Sequence, residues 1–330
     1  MITSPETSYE IFEPIIFNQD QGLLHLYNPT NKDAQEHANH LAKTGQKEWP
    51  AKGPILIRPT EKSVEDTAEL LIEESINSGP LHISLSGGDG TTRNGLEAVR
   101  KSGIDSVVAL VALGNANDMA SSINRNSYRL DPIHTLLNGS KKYIRPIDIQ
   151  ISSEGNEEIA QTSAYGYTGI GISGIVARFI DSKEYRARRS SHKTIRLFHE
   201  ILATNKFVNS AQSFILDDHT TEPRSAVEYV LLHSGRMAKM KFGPYSRIFR
   251  DTATIAEINT KTKKDISKAI GNVILAKNTL SYGDNLSISV NYEGSDLILQ
   301  TDGEPMPVAS GSNLNFRFSD QRVAVAQTRI

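Results

Sequence analysis

The first part of the chain alternates between short apolar runs and longer stretches in which apolar residues recur every three or four positions. Such runs predict strands, and such stretches predict helices. The predicted strands are Leu23 to Tyr27, Pro54 to Arg58, a strand beginning at Leu81, and Val107 to Leu113; the predicted helices are Lys32 to Lys43, Val64 to Ile76 and Thr91 to Lys101. This alternation predicts a doubly wound α/β domain with a parallel sheet, whose ligands bind beyond the carboxyl ends of the strands.

From Lys142 onward the pattern changes to many short apolar runs, which predict antiparallel β structure. The strands expected there are Tyr143 to Ile151, Gln212 to Leu216, Val227 to His233, Thr254 to Ile258, Leu286 to Val290 and Asp296 to Gln300. Two helices are expected among them, one beginning near Gly174 and one from Ser191 to Thr204. The chain therefore changes fold class near its middle.

The length of 330 residues also favours two domains, because single cores stop growing at about 250 to 300 residues. We expect an N-terminal extension over residues 1–20, an α/β domain over 21–141 and a β domain over 142–330. The last segment of the β domain is a candidate for packing back on the first domain.

Composition narrows the function classes. The chain has no cysteine, which excludes disulfides and thiolate metal sites, and its net charge of -2 predicts no general attraction to nucleic acid or anionic membrane. No run of eighteen apolar residues exists, and the opening MITSPETSYE lacks the basic start and apolar core of a signal peptide. We therefore expect a cytoplasmic protein without a transmembrane segment.

The strand that begins at Leu81 breaks into Gly87-Gly88-Asp89-Gly90-Thr91. Glycines let backbone N–H groups approach a ligand closely, and a glycine turn that opens into a helix favours phosphate. Asp89 would repel a bare phosphate, so it makes sense if it orients a magnesium ion, a metal-bound water or a reacting hydroxyl. The alternative is a plain hairpin turn, but a helical pattern follows the loop instead of a second strand.

The Gly87 to Thr91 loop is one of six motifs that occur along the chain. They are Asn28-Pro29-Thr30, the Gly87 to Thr91 loop, Gly114-Asn115-Ala116-Asn117-Asp118, Arg145-Pro146-Ile147-Asp148, Gly169-Ile170-Gly171 and Asp302-Gly303-Glu304. This series resembles the diacylglycerol kinase catalytic superfamily, in particular the soluble bacterial lipid kinases, which are related to sphingosine kinases. The resemblance spans residues 28 to 304.

The resemblance implies a second domain that is a β-sandwich and a nucleotide bound in the cleft between the domains. It implies ATP and Mg²⁺ as cofactors, with Asp89 and Asp118 holding the metal, and Glu304 as the general base in a partly dehydrated cleft. The catalytic residues would be Asp89, Asp118 and Glu304. The nucleotide contacts would be Asn28, Pro29, Thr30, Thr60, Gly87, Gly88, Asp89, Gly90, Thr91, Thr92, Arg93, Gly114, Asn115 and Asn117.

Some positions depart from the family pattern. Arg93 and Asn94 stand where an Asn-Glu pair is usual, Ile172-Ser173-Gly174 replaces Phe-Asp-Ala, and Lys32 stands where glycine is common. The Asp-Gly pair associated with a structural magnesium appears only as Asp251-Thr252, and we do not predict that second metal. Two alternatives to a lipid kinase therefore stay open: a degenerate relative that binds nucleotide or lipid without turnover, and a small-molecule kinase like NAD kinase.

A basic cluster lies between Lys183 and Arg196, with Lys183, Arg186, Arg188, Arg189, Lys193 and Arg196 against the single acid Glu184. A solvated helix face or loop would explain it. If it is functional, each basic residue near anionic headgroups contributes about 1 kcal/mol to binding. The cluster is thus a candidate for peripheral contact with a membrane that holds the lipid substrate.

Overall fold

The structure is a computed structural model. It describes residues 13–114, 117–124, 131–153, 157–181, 213–217, 222–237, 240–241, 245–259, 278–293 and 297–328, and single positions between 262 and 275. The predicted helix from Ser191 to Thr204 and the basic cluster between Lys183 and Arg196 lie outside the described residues, as do Asn115 and most of the N-terminal extension.

The first domain contains strands and helices that alternate along the chain. They are β1 (Glu13–Pro14), β2 (Gly22–Tyr27), α1 (Lys32–Glu48), β3 (Ile55–Pro59), α2 (Val64–Ser78), β4 (Leu81–Gly87), α3 (Asp89–Ser102), β5 (Val107–Ala112), α4 (Asp118–Asn124), α5 (Pro132–Asn138) and β6 (Gly139–Ile144). Strands β2, β3, β4 and β5 pair in parallel, and β4 is buried along its whole length. The predicted α/β domain is confirmed.

The second domain is built almost entirely of strands. They are β7 (Ile147–Ser152), β8 (Glu158–Ala164), β9 (Tyr167–Gly171), β10 (Phe214–Asp217), β11 (Arg224–Ala226), β12 (Glu228–Leu232), β13 (Arg236–Met237), β14 (Met240–Lys241), β15 (Thr252–Ile258), β16 (Thr279–Ser281), β17 (Asn285–Asn291), β18 (Leu297–Thr301), β19 (Glu304–Val308) and β20 (Ser312–Phe318); the last strand, β21 (Val323–Thr328), joins the sheet of the first domain. Helix α6 (Ile172–Asp181) and a 3₁₀ helix (Tyr245–Phe249) interrupt them.

Two antiparallel sheets of this domain pack face to face. Their strand orders are β11-β10-β17-β20-β7-β8 and β16-β15-β12-β9-β18-β19. Alternating residues of both sheets form one core, with Ile149, Phe316 and Leu314 from the first sheet against Ile170 and Leu299 from the second. Such alternation of inward and outward residues is typical of a β-sandwich. The predicted β-sandwich is confirmed.

The chain crosses between the domains twice. A single strand from Tyr143 to Ile151 was predicted, and this is wrong, because the chain breaks at Arg145-Pro146: β6 ends in the first sheet and β7 begins in the second. A proline has no N–H to donate, which ends the first pairing. The second crossing follows β20, after which β21 pairs in parallel with β5 and antiparallel with β6. The parallel sheet therefore gains an antiparallel edge from β6 and β1.

The glycines just before α6 and in its first turn serve packing. Gly171 has a φ of +111°, and a Cβ on Gly174 would overlap the carbonyl oxygen of Ile298. Glycine at these positions lets the first turn of α6 lie directly on β18. None of the described helices is long and apolar enough to cross a membrane.

A buried carboxylate holds the start of α6. Glu228 is 5% exposed, and its Oε2 accepts a hydrogen bond from the backbone N–H of Ser173 at 2.8 Å. Burial raises the pKa of Glu228 to about 8, although its hydrogen bonds act in the opposite direction. The charged form of Glu228 therefore costs stability.

Glu228→Gln should make stability less dependent on pH. Because the pKa in the folded chain lies above the ordinary value of 4.5, the parent should lose stability as pH rises from there to about 8. The variant should therefore melt at a higher temperature than the parent above about pH 8, and the gap should close near about pH 5. Thermal unfolding at several pH values measures this, with the exposed Glu69→Gln as control. A melting difference that is the same at every pH would contradict the assignment.

Candidate active site

Three loops meet where β2, β4 and β5 end. Asn28, after β2, donates from Nδ2 to Thr91 Oγ1 at 3.0 Å, and Asn31 donates from Nδ2 to the carbonyl of Leu113 at 2.8 Å. Leu113 in turn donates its N–H to the carbonyl of Gly87 at 2.9 Å. The carboxyl ends of parallel strands meet at one edge of a sheet, so the fold brings together the loops that the motif order had singled out.

The first loop is also bonded internally. Asn28 Oδ1 accepts from the N–H of Thr30 at 2.9 Å and from its hydroxyl at 2.8 Å, and Asn31 caps α1 by accepting from Ala34. Thr60, which follows β3, donates its N–H to the carbonyl of Tyr27 at 2.9 Å. These bonds hold the backbone of the loop on both sides of the exposed Pro29.

The second and third loops touch backbone to backbone. A Cβ on Gly114 would overlap the Cα of Gly88. Asn117 holds this loop with φ 55°, accepting from the N–H of Gly114 at 2.8 Å and donating to its carbonyl at 2.9 Å. The predicted ligand Asn117 therefore shapes the loop, and its amide is already bonded to protein.

Two acids lie at neighbouring helix starts. Asp89 is the first residue of α3, and its Oδ1 accepts from the N–H of Met119 in α4 at 3.2 Å. Asp118 is the first residue of α4 and is 2% exposed. Removal from water and the neighbouring charge of Asp118 raise the pKa of Asp89 to about 7. This mutual repulsion is what a bound cation would relieve.

The pair fits Mg²⁺, which is commonly bound by one or two carboxylates together with substrate phosphates. Asp89 and Asp118 would hold it. Within the described part of the chain, no three His, Asp, Glu or Cys side chains converge as metal ligands. A metal here would therefore need oxygen atoms from the substrate to complete its coordination.

The second domain brings Glu304 against the glycine loop. Glu304 is the first residue of β19, and a Cβ on Gly90 would overlap its Oε1. The side chain is exposed to solvent, whereas the sequence led us to expect a partly dehydrated cleft. The carboxylate of Glu304, from the second domain, thus faces the Gly87 to Thr91 loop of the first domain, which the sequence predicts to bind phosphate.

Asp302, two residues earlier in the same motif, is an anchor whose role the sequence did not predict. Its buried carboxylate accepts from the backbone N–H groups of Tyr165, Gly166 and Tyr167 at 2.7, 2.8 and 2.9 Å. Burial raises the pKa of Asp302, while those hydrogen bonds act in the opposite direction. The turn that carries Glu304 is therefore tied to the turn between β8 and β9. An Asp-Gly pair after a strand predicts a turn, but it does not predict which backbone groups the aspartate will bind.

Arg236 is a second residue that sequence reasoning missed. It lies on the short strand β13, and its Nε is 3.7 Å from Asp118 Oδ1. Both side chains are buried, so the attraction is weakly screened. Nothing in the local sequence signals this contact, because β13 and Asp118 are more than a hundred residues apart.

Comparisons with known proteins bear on the family and the fold of this chain. Residues 23–150 match the family model of the diacylglycerol kinase catalytic domain. The predicted resemblance to that family is therefore confirmed. A solved structure from Bacillus anthracis str. Sterne, provisionally described as a diacylglycerol kinase, superposes with a TM-score of 0.60 at 14% identity, covering 93% of this chain and 97% of that one. A search among curated proteins found no significant match.

A second structure from the same organism is described as that of a diacylglycerol kinase. It superposes with a TM-score of 0.52 at 14% identity and covers 92% of this chain and 96% of that one. At this identity the two structures show a shared fold. The shared fold extends over both domains, beyond the residues that the family model matches.

Two residues at positions that depart from the diacylglycerol kinase pattern, Arg93 and Asp251, make defined contacts in the structure. Arg93 donates from Nε to the carbonyl of Ser163 in β8 at 3.1 Å and from Nη1 to Asn94 Oδ1 at 2.8 Å. Its guanidinium thus links the two domains, and its phosphate contact stays a prediction. Asp251 is 3.3 Å from Arg145 and 3.1 Å from Arg322, so a metal ion there would displace two guanidinium groups.

Gly114→Ala should test the contact between the loops. The added Cβ of Gly114→Ala would meet the backbone of Gly88, which cannot move without shifting the Gly87 to Thr91 loop. The added Cβ of Gly90→Ala would meet only the flexible end of the Glu304 side chain. Gly114→Ala should therefore lower the melting temperature clearly. Gly90→Ala should keep it or raise it, since alanine favours a helix by about 1 kcal/mol over glycine. Equal melting temperatures for Gly114→Ala and the parent would contradict the close packing.

Proposed function

We propose that this protein is an ATP-dependent lipid kinase that transfers the γ-phosphate to a hydroxyl of a diacylglycerol-like lipid. The observation that carries the proposal is the position of Glu304 against Gly90, the residue that follows Asp89. The glycine loop of the first domain and a carboxylate of the second domain therefore lie next to each other. Phosphoryl transfer needs these parts: a held phosphate, carboxylates for magnesium and a base near the acceptor.

The first domain would bind the nucleotide. The N–H groups at the start of α3 point out of the helix and favour the phosphates, and the Asn28, Thr60 and Gly114 loops lie at the same edge of the sheet. Asp89 and Asp118 would hold Mg²⁺, which supplies neutralisation of the charge that develops on the phosphates. Arg236 Nε lies 3.7 Å from Asp118 Oδ1, so its positive charge would offset part of the negative charge at this site.

The second domain would supply the base. Glu304 is exposed and points toward Gly90, so Oε1 can accept the proton of a lipid hydroxyl that enters the cleft. A bound acceptor would cover this carboxylate and exclude water from it. Peripheral membrane contact through the basic cluster between Lys183 and Arg196 is part of the proposal and rests on the sequence.

Asp89→Asn should lower turnover by at least about 10²-fold, the scale at which single electrostatic contacts act in active sites. Asparagine can still accept from the N–H of Met119, so the loop should keep its shape. Loss of one of two neighbouring carboxylates should leave thermal stability equal or higher. Transfer of label from γ-labelled ATP to dioleoylglycerol measures turnover, with the exposed Asp33→Asn as control. Parent-like turnover in Asp89→Asn would remove this loop from the chemistry.

Glu304→Gln should separate catalysis from binding. Glutamine keeps the size of the side chain but cannot take up the proton, so only the transition state loses an interaction. We expect kcat to fall by about 10² to 10⁴-fold and ATP affinity, measured by calorimetry, to change little. Glu222→Gln, an exposed change in the same domain, serves as control. A Glu304→Gln variant that phosphorylates lipid at the parent rate would show that the base is another group.

A further inference from the structure

One face of α3 docks on the second domain through three charged side chains. Arg93, Glu97 and Arg100 are spaced by four and three residues, which places them on the same side of a helix. Arg93 contacts the carbonyl of Ser163, and Arg100 Nη2 donates to the hydroxyl of Ser163 at 3.2 Å. Helix α3 therefore carries Asp89 at its start and is joined to β8 along its length.

Glu97 makes a buried contact with Tyr165 at the turn between β8 and β9. The tyrosine hydroxyl donates to Glu97 Oε2 at 2.9 Å, and Arg100 Nε donates to the same oxygen at 2.8 Å. The Tyr165 side chain is 0% exposed, and burial together with the charge of Glu97 raises the pKa of its hydroxyl well above the usual value. Tyr165 thus stays a neutral donor, and its ring fills the interface.

The backbone of Tyr165 continues the connection toward Glu304. Its N–H donates to Asp302 Oδ2 at 2.7 Å, and Asp302 donates its own N–H to the carbonyl of Tyr167 at 2.9 Å. A Cβ on Gly166 would come within 2.9 Å of Asp302 Oδ1, so the turn closes tightly around the carboxylate. Asp302 has a φ of 50° and Gly303 a φ of 92°, a left-handed pair that reverses the chain into Glu304.

These contacts form a closed ring. It runs from the start of α3 to Glu97, through Tyr165 to Asp302, and through Glu304 back to Gly90 at the start of α3. One helix thus carries both ends of the connection. We infer that Tyr165 and Glu97 are positioning residues, which hold Glu304 at a fixed place relative to Asp89; this inference rests on the proposed function.

Tyr165→Phe tests the ring with the smallest change. Loss of the hydroxyl leaves Glu97 bonded to Arg100 and leaves the nucleotide loops of the first domain untouched. Small misplacements of catalytic groups have large kinetic effects, so we expect kcat to fall about 10-fold while KM for ATP stays within about 2-fold. Tyr292→Phe is the matched control, since it loses one tyrosine hydroxyl bond, to the carbonyl of Val308 at 2.8 Å, away from α3. The control should keep parent kinetics.

A double-mutant cycle distinguishes positioning from a general structural effect. If Tyr165 acts through Glu304, Tyr165→Phe should lower kcat of the Glu304→Gln variant by less than about 2-fold, because the base is already absent. The same loss of kcat in both backgrounds would overturn the inference. So would parent kinetics in Tyr165→Phe. Dioleoylglycerol in detergent micelles and γ-labelled ATP are the substrates in each arm.

Amide hydrogen exchange provides a readout that does not need turnover. Tyr165→Phe should speed exchange at the N–H groups of Gly166 and Tyr167 and at residues 302–304, whereas Tyr292→Phe should not. If the parent transfers no phosphate to the lipid, the proposed function fails, and the exchange comparison alone decides whether Tyr165 holds Glu304. Unchanged exchange in Tyr165→Phe would overturn the inference in that case as well.

Discussion

The arrangement of the two domains depends on one partly buried guanidinium, that of Arg100. Arg100 of α3 bonds to Glu97, lies 3.6 Å from Asp148 of β7, and donates to the hydroxyls of Ser163 in β8 and Ser319 after β20 at 3.2 Å each. Partial burial lowers the pKa of Arg100, but the hydrogen bond and charge of Glu97 together with the charge of Asp148 more than offset this effect and raise the pKa, so Arg100 remains charged. A charge that is largely removed from water needs such partners, and loss of one of them is destabilising. This network therefore fixes α3 on the sandwich in one orientation.

Chain topology supports the same rigidity. The chain enters the sandwich at Arg145-Pro146 and returns after β20 to add β21 between β5 and β6. Arg145 is buried at this crossing, donates to the carbonyl of Ser319 at 3.1 Å and stacks on Tyr282 at 3.6 Å from the ring centre. Two chain crossings restrict the relative motion of the domains more than a single linker would. A cleft that must place a base against a phosphate loop benefits from such stiffness.

The sequence predicted the parts of the fold that depend on local pattern. Strands β2 to β5 and helices α1 to α3 follow the apolar periodicity, and the loop from Gly87 to Thr91 lies where the pattern ended β4. Contacts between residues far apart in the chain could not be predicted from this periodicity. The contact between Gly90 and Glu304 joins residues more than two hundred positions apart, and only the motif order of a known family linked them. Arg236 had neither signal, so only the structure placed it beside Asp118.

The most direct test of the central claim uses the parent chain with γ-labelled ATP, Mg²⁺ and a mixed lipid extract, and in parallel with water-soluble hydroxyl acceptors. We expect label to move into the organic phase as a phosphorylated lipid, in an amount proportional to the protein concentration and only when lipid is present. Label that appears only in a water-soluble product, or only as free phosphate, would contradict the assignment of a lipid hydroxyl as the acceptor facing Glu304.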